Sequence, residues 1–349
     1  MAHPAAADGV TPLAREFSER IRAFGPIPLH DVMGEAISRY YAKGTAFGAA
    51  GDFITSPEIC QVFGELIGLW CASYWQMMGS PQHLNLVELG PGRGTLMADA
   101  LRAASILPEF RQALRIHLVE TSQALRSIQH QALPNADVTW HESLQSLPSG
   151  PMLLVANEFF DAIPIRQFVL HPEGWQERQV IVNEQGALAF ADSSGVEIKE
   201  VCPLGIEIIG SIAKRICCDG GAALIIDYGS KKSGHGDTLQ ALSEHRYADI
   251  LETLGEADLT AHVDFESLGN AAQQAGAKVH GPIFQGAFLQ RLGIEIRGAQ
   301  LLDSANEKQA FSIRYGIKRL IDPQEMGTLF KVMVITAPGG ALPPGFEGD

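Results

Sequence analysis

The sequence predicts an α/β fold: a mostly parallel sheet with helices on both faces. Three observations carry this expectation. Apolar strand patterns alternate with amphipathic helix patterns between residues 84 and 157. The alternation resumes over 204–227. A glycine-rich turn, "LGPGRGT", joins the first strand of the series to its helix. Strands that alternate with helices form parallel pairs, because each connecting helix packs back onto the sheet.

Taken in order, residues 1–12 show no periodicity and read as disordered. Residues 13–24 read as a helix stopped near Gly25-Pro26. The stretch 27–56 is rich in glycine and aromatics with few periodic signals. From Pro57 to Met78, Ile59, Val62, Phe63, Leu66, Ile67, Trp70 and Tyr74 recur at helical spacing. "NLVEL" is a short buried strand and "TLMADALRAAS" a helix with Leu96, Ala100 and Leu101 on one side. "RIHLVE" and "SQALRSIQHQAL" repeat the pair, and "DVTW" and "MLLVAN" are further strands. The grammar then changes. "IRQFVL", "WQERQVIVNE" and "ALAFAD", separated by "HPEG" and "QG", read as antiparallel strands with tight turns. Helix 204–217 and strand 222–227 restore the first pattern, and "TLFKVMVITA" at 328–337 is a last strand.

The expected organisation is an N-terminal helical and loop segment over 1–80, and a core of 81–229 and 323–337 with a β insertion at 165–200. A mixed substrate-facing cap at 230–322 and a loose Pro/Gly tail at 338–349 complete it.

At 349 residues the chain is longer than one core usually fills. Its 46% hydrophobic and 19% charged content is that of an ordinary globular protein. A net charge of −14 argues against broad binding to nucleic acid or anionic membrane. The longest apolar runs are too short to span a bilayer, so no membrane insertion is expected. The N-terminus lacks a secretory core and is not Arg-rich enough for an organelle transit peptide. Five cysteines without a Cys-x-x-Cys read as reduced thiols, and no metal site is expected. A soluble cytoplasmic protein is the default, with the mitochondrial matrix as the alternative.

In "VELGPGRGTL", Gly90, Gly92 and Gly94 let the backbone turn sharply and approach a ligand. The helix that follows offers unpaired N–H groups. A dinucleotide fingerprint would place its third glycine at 95, which is Thr95, and a phosphate loop would need Gly-Lys-Ser/Thr. The arrangement Glu88-x-Gly-x-Gly-x-Gly is instead similar to motif I of class I S-adenosylmethionine (SAM) methyltransferases. A plain strand–helix turn is the other reading. Glu120 ends the second strand, where a carboxylate can accept ribose hydroxyls. It could equally be an acid near a helix N-terminus. Ser143 and Leu144 follow the third strand, where such folds contact adenine. Asn157, Glu158 and Asp161 cluster at the end of the fourth, where open α/β sheets bind ligands.

Seven motifs occur in order: "FGAAGDFITSPEICQVFGELIG", "VELGPGRGTLMADAL", "NEFFDAIPIRQF", "LIIDYG", "DLTAHVDF", "QGAFLQRLGI" and "MGTLFKVM". Over about residues 27–335 the chain resembles the MidA family of SAM-dependent methyltransferases. That resemblance implies a class I, Rossmann-like methyltransferase sheet with a helical N-terminal segment, an antiparallel β insertion and a cap. It implies SAM as cofactor. It also implies, from a mitochondrial relative that methylates arginine and assembles respiratory complex I, a protein substrate on a complex I subunit. A homodimer is left open. One departure is the short "VMGEAISRYYAKG", with Arg39 before Tyr40-Tyr41.

On this reading "GDFITSPE" folds over the cofactor with Asp52 and Thr55 as polar contacts; alternatively Ser56 caps the next helix with Pro57 at its first position. If the acceptor is a guanidinium, acids must orient it and take its proton. Glu158 and Asp161 are the first candidates. His262 and Asp264, two residues apart, could relay the proton, or His262 could be a satisfied core histidine. Tyr228 could line the site or merely pack, and Asp227 could form a turn. Two competing functions are an assembly chaperone that keeps the fold without catalysis and a NAD-dependent oxidoreductase, which Thr95 disfavours.

Overall fold

The computed structural model describes residues 10–43, 55–192, 197–243 and 246–348. They divide into two compact units. The larger takes the described parts of Ile54–Phe160, Ile206–Ser233 and Val263–Asp349. The smaller takes those of Met1–Phe53, Asp161–Gly205 and Gly234–His262.

The larger unit is built on an eight-stranded sheet. From one edge its long strands are Val138–His141, Leu114–Val119, Leu84–Leu89, Met152–Asn157, Gly221–Ser230, Phe330–Thr336 and Lys278–Phe284. Numbered in chain order this is 3-2-1-4-5-7-6. The first five are parallel; Phe330–Thr336 runs antiparallel between Gly221–Ser230 and Lys278–Phe284. The two-residue strand Val263–Asp264 lies beside the end of Gly221–Ser230. Leu84–Leu89, Met152–Asn157 and Phe330–Thr336 are buried throughout, as strands covered on both faces must be.

Helix Gln61–Met77 packs closely on helix Thr95–Ala104. A Cβ on Gly68 would sit 2.4 Å from the carbonyl oxygen of Ala100, so the two backbones touch where a side chain would not fit. The expected single helix from Pro57 to Met78 is two: Ser56–Ile59 and Gln61–Met77 are separated by Cys60 in extended conformation.

Two further expectations are corrected in this unit. The strand Lys278–Phe284 belongs to the main sheet, although 230–322 read as a cap apart from the core. Gly281-Pro282 and a register shift between His280 and Ile283 break the alternation that would have marked it. The tail is packed rather than loose: Phe346 is buried against Phe288, and Trp70 Nε1 donates to the carbonyl of Pro344 at 3.1 Å.

The smaller unit contains helices Pro12–Phe24 and Leu29–Ala42 and three three-stranded sheets. Two of these hold the antiparallel strands expected at 165–200, and the third joins Gln240–Ser243, Arg246–Ala248 and Asp258–Thr260. Helix Leu29–Ala42 was not anticipated. Its inward residues Leu29, Val32, Met33, Ala36 and Tyr40 keep helical spacing, but it starts after Pro28 with no side-chain cap. Arg178, buried, binds Asp192 and Asp237 at 2.8 Å each and ties the strands together. Among the described residues no helix is long and apolar enough to cross a membrane. All five cysteines are free thiols.

Candidate cofactor and catalytic site

Strand order reverses between Leu84–Leu89 and Met152–Asn157, the place where open α/β sheets leave a crevice at their carboxyl ends. The glycine turn occupies that place. Gly90, Gly92 and Gly94 have φ of 58°, 51° and 82°, a left-handed path that side-chain-bearing residues avoid. A Cβ on Gly90 would also lie 2.9 Å from Cδ2 of Phe159. The turn closes through Gly94 N–H to Pro91 O at 2.7 Å. Helix Thr95–Ala104 follows, and the Thr95 hydroxyl donates to Glu58 Oε1.

Glu120 ends the second strand with its carboxylate buried. Burial pushes its carboxyl up; the Ser122 N–H, donating to Oε1 at 2.8 Å, opposes that. Ser143 and Leu144 open a short 3₁₀ turn after the third strand, with Leu144 buried. That strand end is tied to Glu120, whose N–H donates to His141 O at 2.9 Å.

The fourth strand ends at Asn157, and the chain turns at Glu158 with φ 50°, an uncommon conformation for a non-glycine residue. Glu158 Oε1 accepts from the backbone N–H of Ser56 at 2.8 Å and from Asn157 Nδ2 at 3.0 Å. Beneath it, the fully buried Asp227 accepts the N–H groups of Phe159 and Phe160 at 3.2 and 2.9 Å on Oδ2. Its Oδ1 accepts from Tyr228 N–H at 2.9 Å. The turn is thereby fixed from below.

Three buried oxygens in this region have no hydrogen-bond partner among the described residues: Ser56 Oγ, Glu88 Oε2 and Asn157 Oδ1. Ser56 and Asn157 flank the same carboxylate. Glu88 and Asn157 project from one face of neighbouring parallel strands, since Glu88 pairs with Val155 two residues before Asn157. Burial pushes the Glu88 carboxyl up to about 8. Unsatisfied buried acceptors are costly and call for donors or positive charge. SAM brings both, an α-ammonium and a sulfonium, and its ribose offers hydroxyl donors. All three oxygens can accept from such groups, and the set therefore fits SAM.

The other candidates are placed as follows. Thr55 precedes the first short helix and caps it through its main-chain carbonyl, which accepts from Glu58 and Ile59 N–H at 2.9 and 3.1 Å. Ser56 is thus inside the helix rather than its cap. Asp52 lies outside the described residues. Asp161 and His262 fall in the smaller unit, and Glu158 and Asp264 in the larger. The Asp161 carbonyl accepts from Ala261 N–H at 3.0 Å, and His262, exposed, anchors its N–H on Thr238 Oγ1 at 2.9 Å. Asp264 caps helix Phe265–Gln274: its oxygens accept from Ser267 N–H, Ser267 Oγ and Ser233 Oγ at 3.0, 2.7 and 2.6 Å. Tyr228 stacks edge-on with Phe330 at 5.4 Å.

Sequence reasoning missed Gln129 and undervalued Asp227. Gln129 is fully buried and hydrogen-bonds Gly92, Glu120 and Trp140. Its phase was a usable signal, four residues from each of the buried Leu125 and Leu133.

A family model described as a putative S-adenosyl-L-methionine-dependent methyltransferase matches residues 66–283. The chain is 39% identical over 371 residues to the mitochondrial protein arginine methyltransferase NDUFAF7 of Mus musculus, covering 94% of this chain and 85% of that protein. The Drosophila melanogaster homolog is 38% identical over 375 residues, covering 93% and 84%. Among solved structures, a Burkholderia thailandensis superfamily member bound to S-adenosyl-homocysteine superimposes with a TM-score of 0.83 at 24% identity, covering 100% of this chain and 98% of that one.

Proposed function

We propose that this chain, which belongs to that family of SAM-dependent methyltransferases, methylates a guanidinium nitrogen of arginine in a partner protein. The observation that carries the proposal is the constrained turn at Glu158, with unsatisfied acceptors on either side of its carboxylate. The fold places this turn at the strand ends next to the glycine loop.

The cofactor, when bound, supplies an activated methyl on a good leaving group. The protein's task is positioning and charge. The glycine turn passes close beneath the cofactor, Glu120 accepts its ribose hydroxyls, and Ser143 and Leu144 border its adenine. Glu88 and Asn157 take its cationic end, with Thr55 as a further contact. Glu158 orients the guanidinium, which is a poor nucleophile while its charge is delocalised. As the N–CH₃ bond forms and the S–CH₃ bond breaks, the electron pair stays on sulfur and the nitrogen loses a proton to a carboxylate. Glu158 is the first candidate for that base, and Asp264 of the same unit is a candidate for taking the proton onward.

The relatives' names support arginine as acceptor, and a respiratory complex I subunit is the proposed partner, as the family resemblance implies. The reaction runs in the bacterial cytoplasm or the mitochondrial matrix; the curated relatives are mitochondrial. Light scattering distinguishes a monomer from a homodimer. The function is tested by incubating the protein and radiolabelled SAM with lysate of cells lacking it, then mapping the labelled residue by mass spectrometry. Label on lysine, or on no protein, would refute arginine as acceptor. A Glu158→Gln variant that transfers no methyl yet restores the assembly phenotype would favour the non-catalytic chaperone.

A further inference from the structure

We infer that Gln129 is a positioning residue for cofactor recognition: it sets the orientation in which Glu120 receives the ribose. The inference rests on the reading of Glu120 given above. Gln129 Nε2 donates to Gly92 O at 2.8 Å and to Glu120 Oε2 at 3.3 Å. Its Oε1 accepts from Trp140 Nε1 at 2.8 Å. The side chain is wholly buried, so water cannot substitute for these partners.

Only one orientation of the amide satisfies them. Nε2 faces two acceptors and Oε1 faces a donor; a flip would set oxygen against oxygen and N–H against N–H. A carboxylate at 129 would oppose the two acceptors, and a cationic side chain would leave the indole N–H unmet. Trp140 therefore fixes Gln129, and Gln129 fixes both the glycine turn and the far oxygen of Glu120. The other oxygen is held by Ser122 N–H. The carboxylate is thus restrained at both oxygens, and each keeps lone-pair capacity for a hydroxyl.

The test is calorimetric titration with S-adenosyl-homocysteine and its 2′-deoxy and 3′-deoxy analogues. Wild type is expected to bind each analogue about 10-fold or more weakly than the parent, the usual effect of losing a hydrogen bond to a charged group. In Gln129→Leu that discrimination is expected to shrink to about threefold or less, because a carboxylate free to swing gains less from each hydroxyl. Trp140→Phe, which keeps a ring but removes the donor to Gln129, should fall between. If Gln129→Leu weakens all three ligands by one common factor, Gln129 only packs and the inference is overturned. If wild type itself shows no discrimination, the reading of Glu120 fails and takes the inference with it, a different and recognisable result. Should Gln129→Leu not fold, Trp140→Phe decides: unchanged discrimination there overturns the inference.

Discussion

Asp227 accepts the backbone N–H of Phe160 at 2.9 Å from a fully buried position in the neighbouring strand Gly221–Ser230. With the N–H groups of Phe159 and Tyr228 on the same carboxylate, this side chain is the support for the Glu158 turn. Asp227→Ala leaves three N–H groups short of an acceptor. Only the Phe160 bond is buried and the other two are part-buried; an unsatisfied buried donor costs about 1–3 kcal/mol, so a loss of about 1–3 kcal/mol is expected in urea denaturation. Methyl transfer in the surviving folded fraction should fall further than SAM binding does.

Glu158→Gln keeps the size of the side chain and removes its charge. SAM binding measured by calorimetry is expected to stay within about threefold of wild type, while methyl transfer falls by about 100-fold or more, the range of a lost general base. Equal losses in both would assign Glu158 to cofactor binding instead.

Gly90→Ala meets two obstacles, a left-handed backbone and the Phe159 ring at 2.9 Å. The backbone alone costs about 1–2 kcal/mol. The variant should melt earlier and bind SAM at least about 10-fold more weakly, as the turn shifts to relieve the contact. The double variant Gly90→Ala, Phe159→Ala should recover part of the binding. It cannot recover the backbone term.

The buried Glu88 carboxyl, pushed up to about 8, makes a pH prediction for the protein without cofactor. The folded state holds a proton that the unfolded state, with an ordinary carboxyl, has already released. Its favourable contribution is fully present below the ordinary carboxylate range and is lost as pH rises through the folded value. Chemical denaturation from about pH 5 to about pH 9 should show Glu88→Gln gaining on wild type as pH increases. A constant difference across that range would place a neutralising partner beside Glu88.

Phe346→Ala tests the packed tail. The ring is buried against Phe288 and His280, so a loss of about 3 kcal/mol is expected in denaturant melts, as for other buried phenylalanines. A mobile tail would show no change.

These residues also show what could be read from sequence. The places of Gly90, Gly92, Gly94, Glu88 and Glu120 at the strand ends were legible because strand, turn and helix are local and their spacing is rigid. The roles of Asp227 and Ser56 were not, because each depends on a partner far along the chain. Asp227 holds a residue 67 positions away, and the Ser56 N–H meets Glu158 across 102. Asp264 read as a catalytic candidate, and the structure gives it one helix-capping bond and two hydroxyl bonds that a two-residue spacing to His262 could not foretell. Helix Leu29–Ala42 and strand Lys278–Phe284 escaped notice because proline and glycine interrupt the periodic signal there.

The strand order has a further bearing on how the chain is made. Phe330–Thr336, the last strand of this sheet in chain order, lies inside the sheet rather than at its rim. Among the described strands Lys278–Phe284 pairs with Phe330–Thr336 alone, so it stays without a strand partner until that segment emerges from the ribosome. The five parallel strands can pair before then, but this side of the sheet waits for Phe330–Thr336, and until it arrives an apolar strand edge stands open to chaperones or to aggregation. Premature termination even shortly before Phe330 would leave no partial sheet of native pairing on that side.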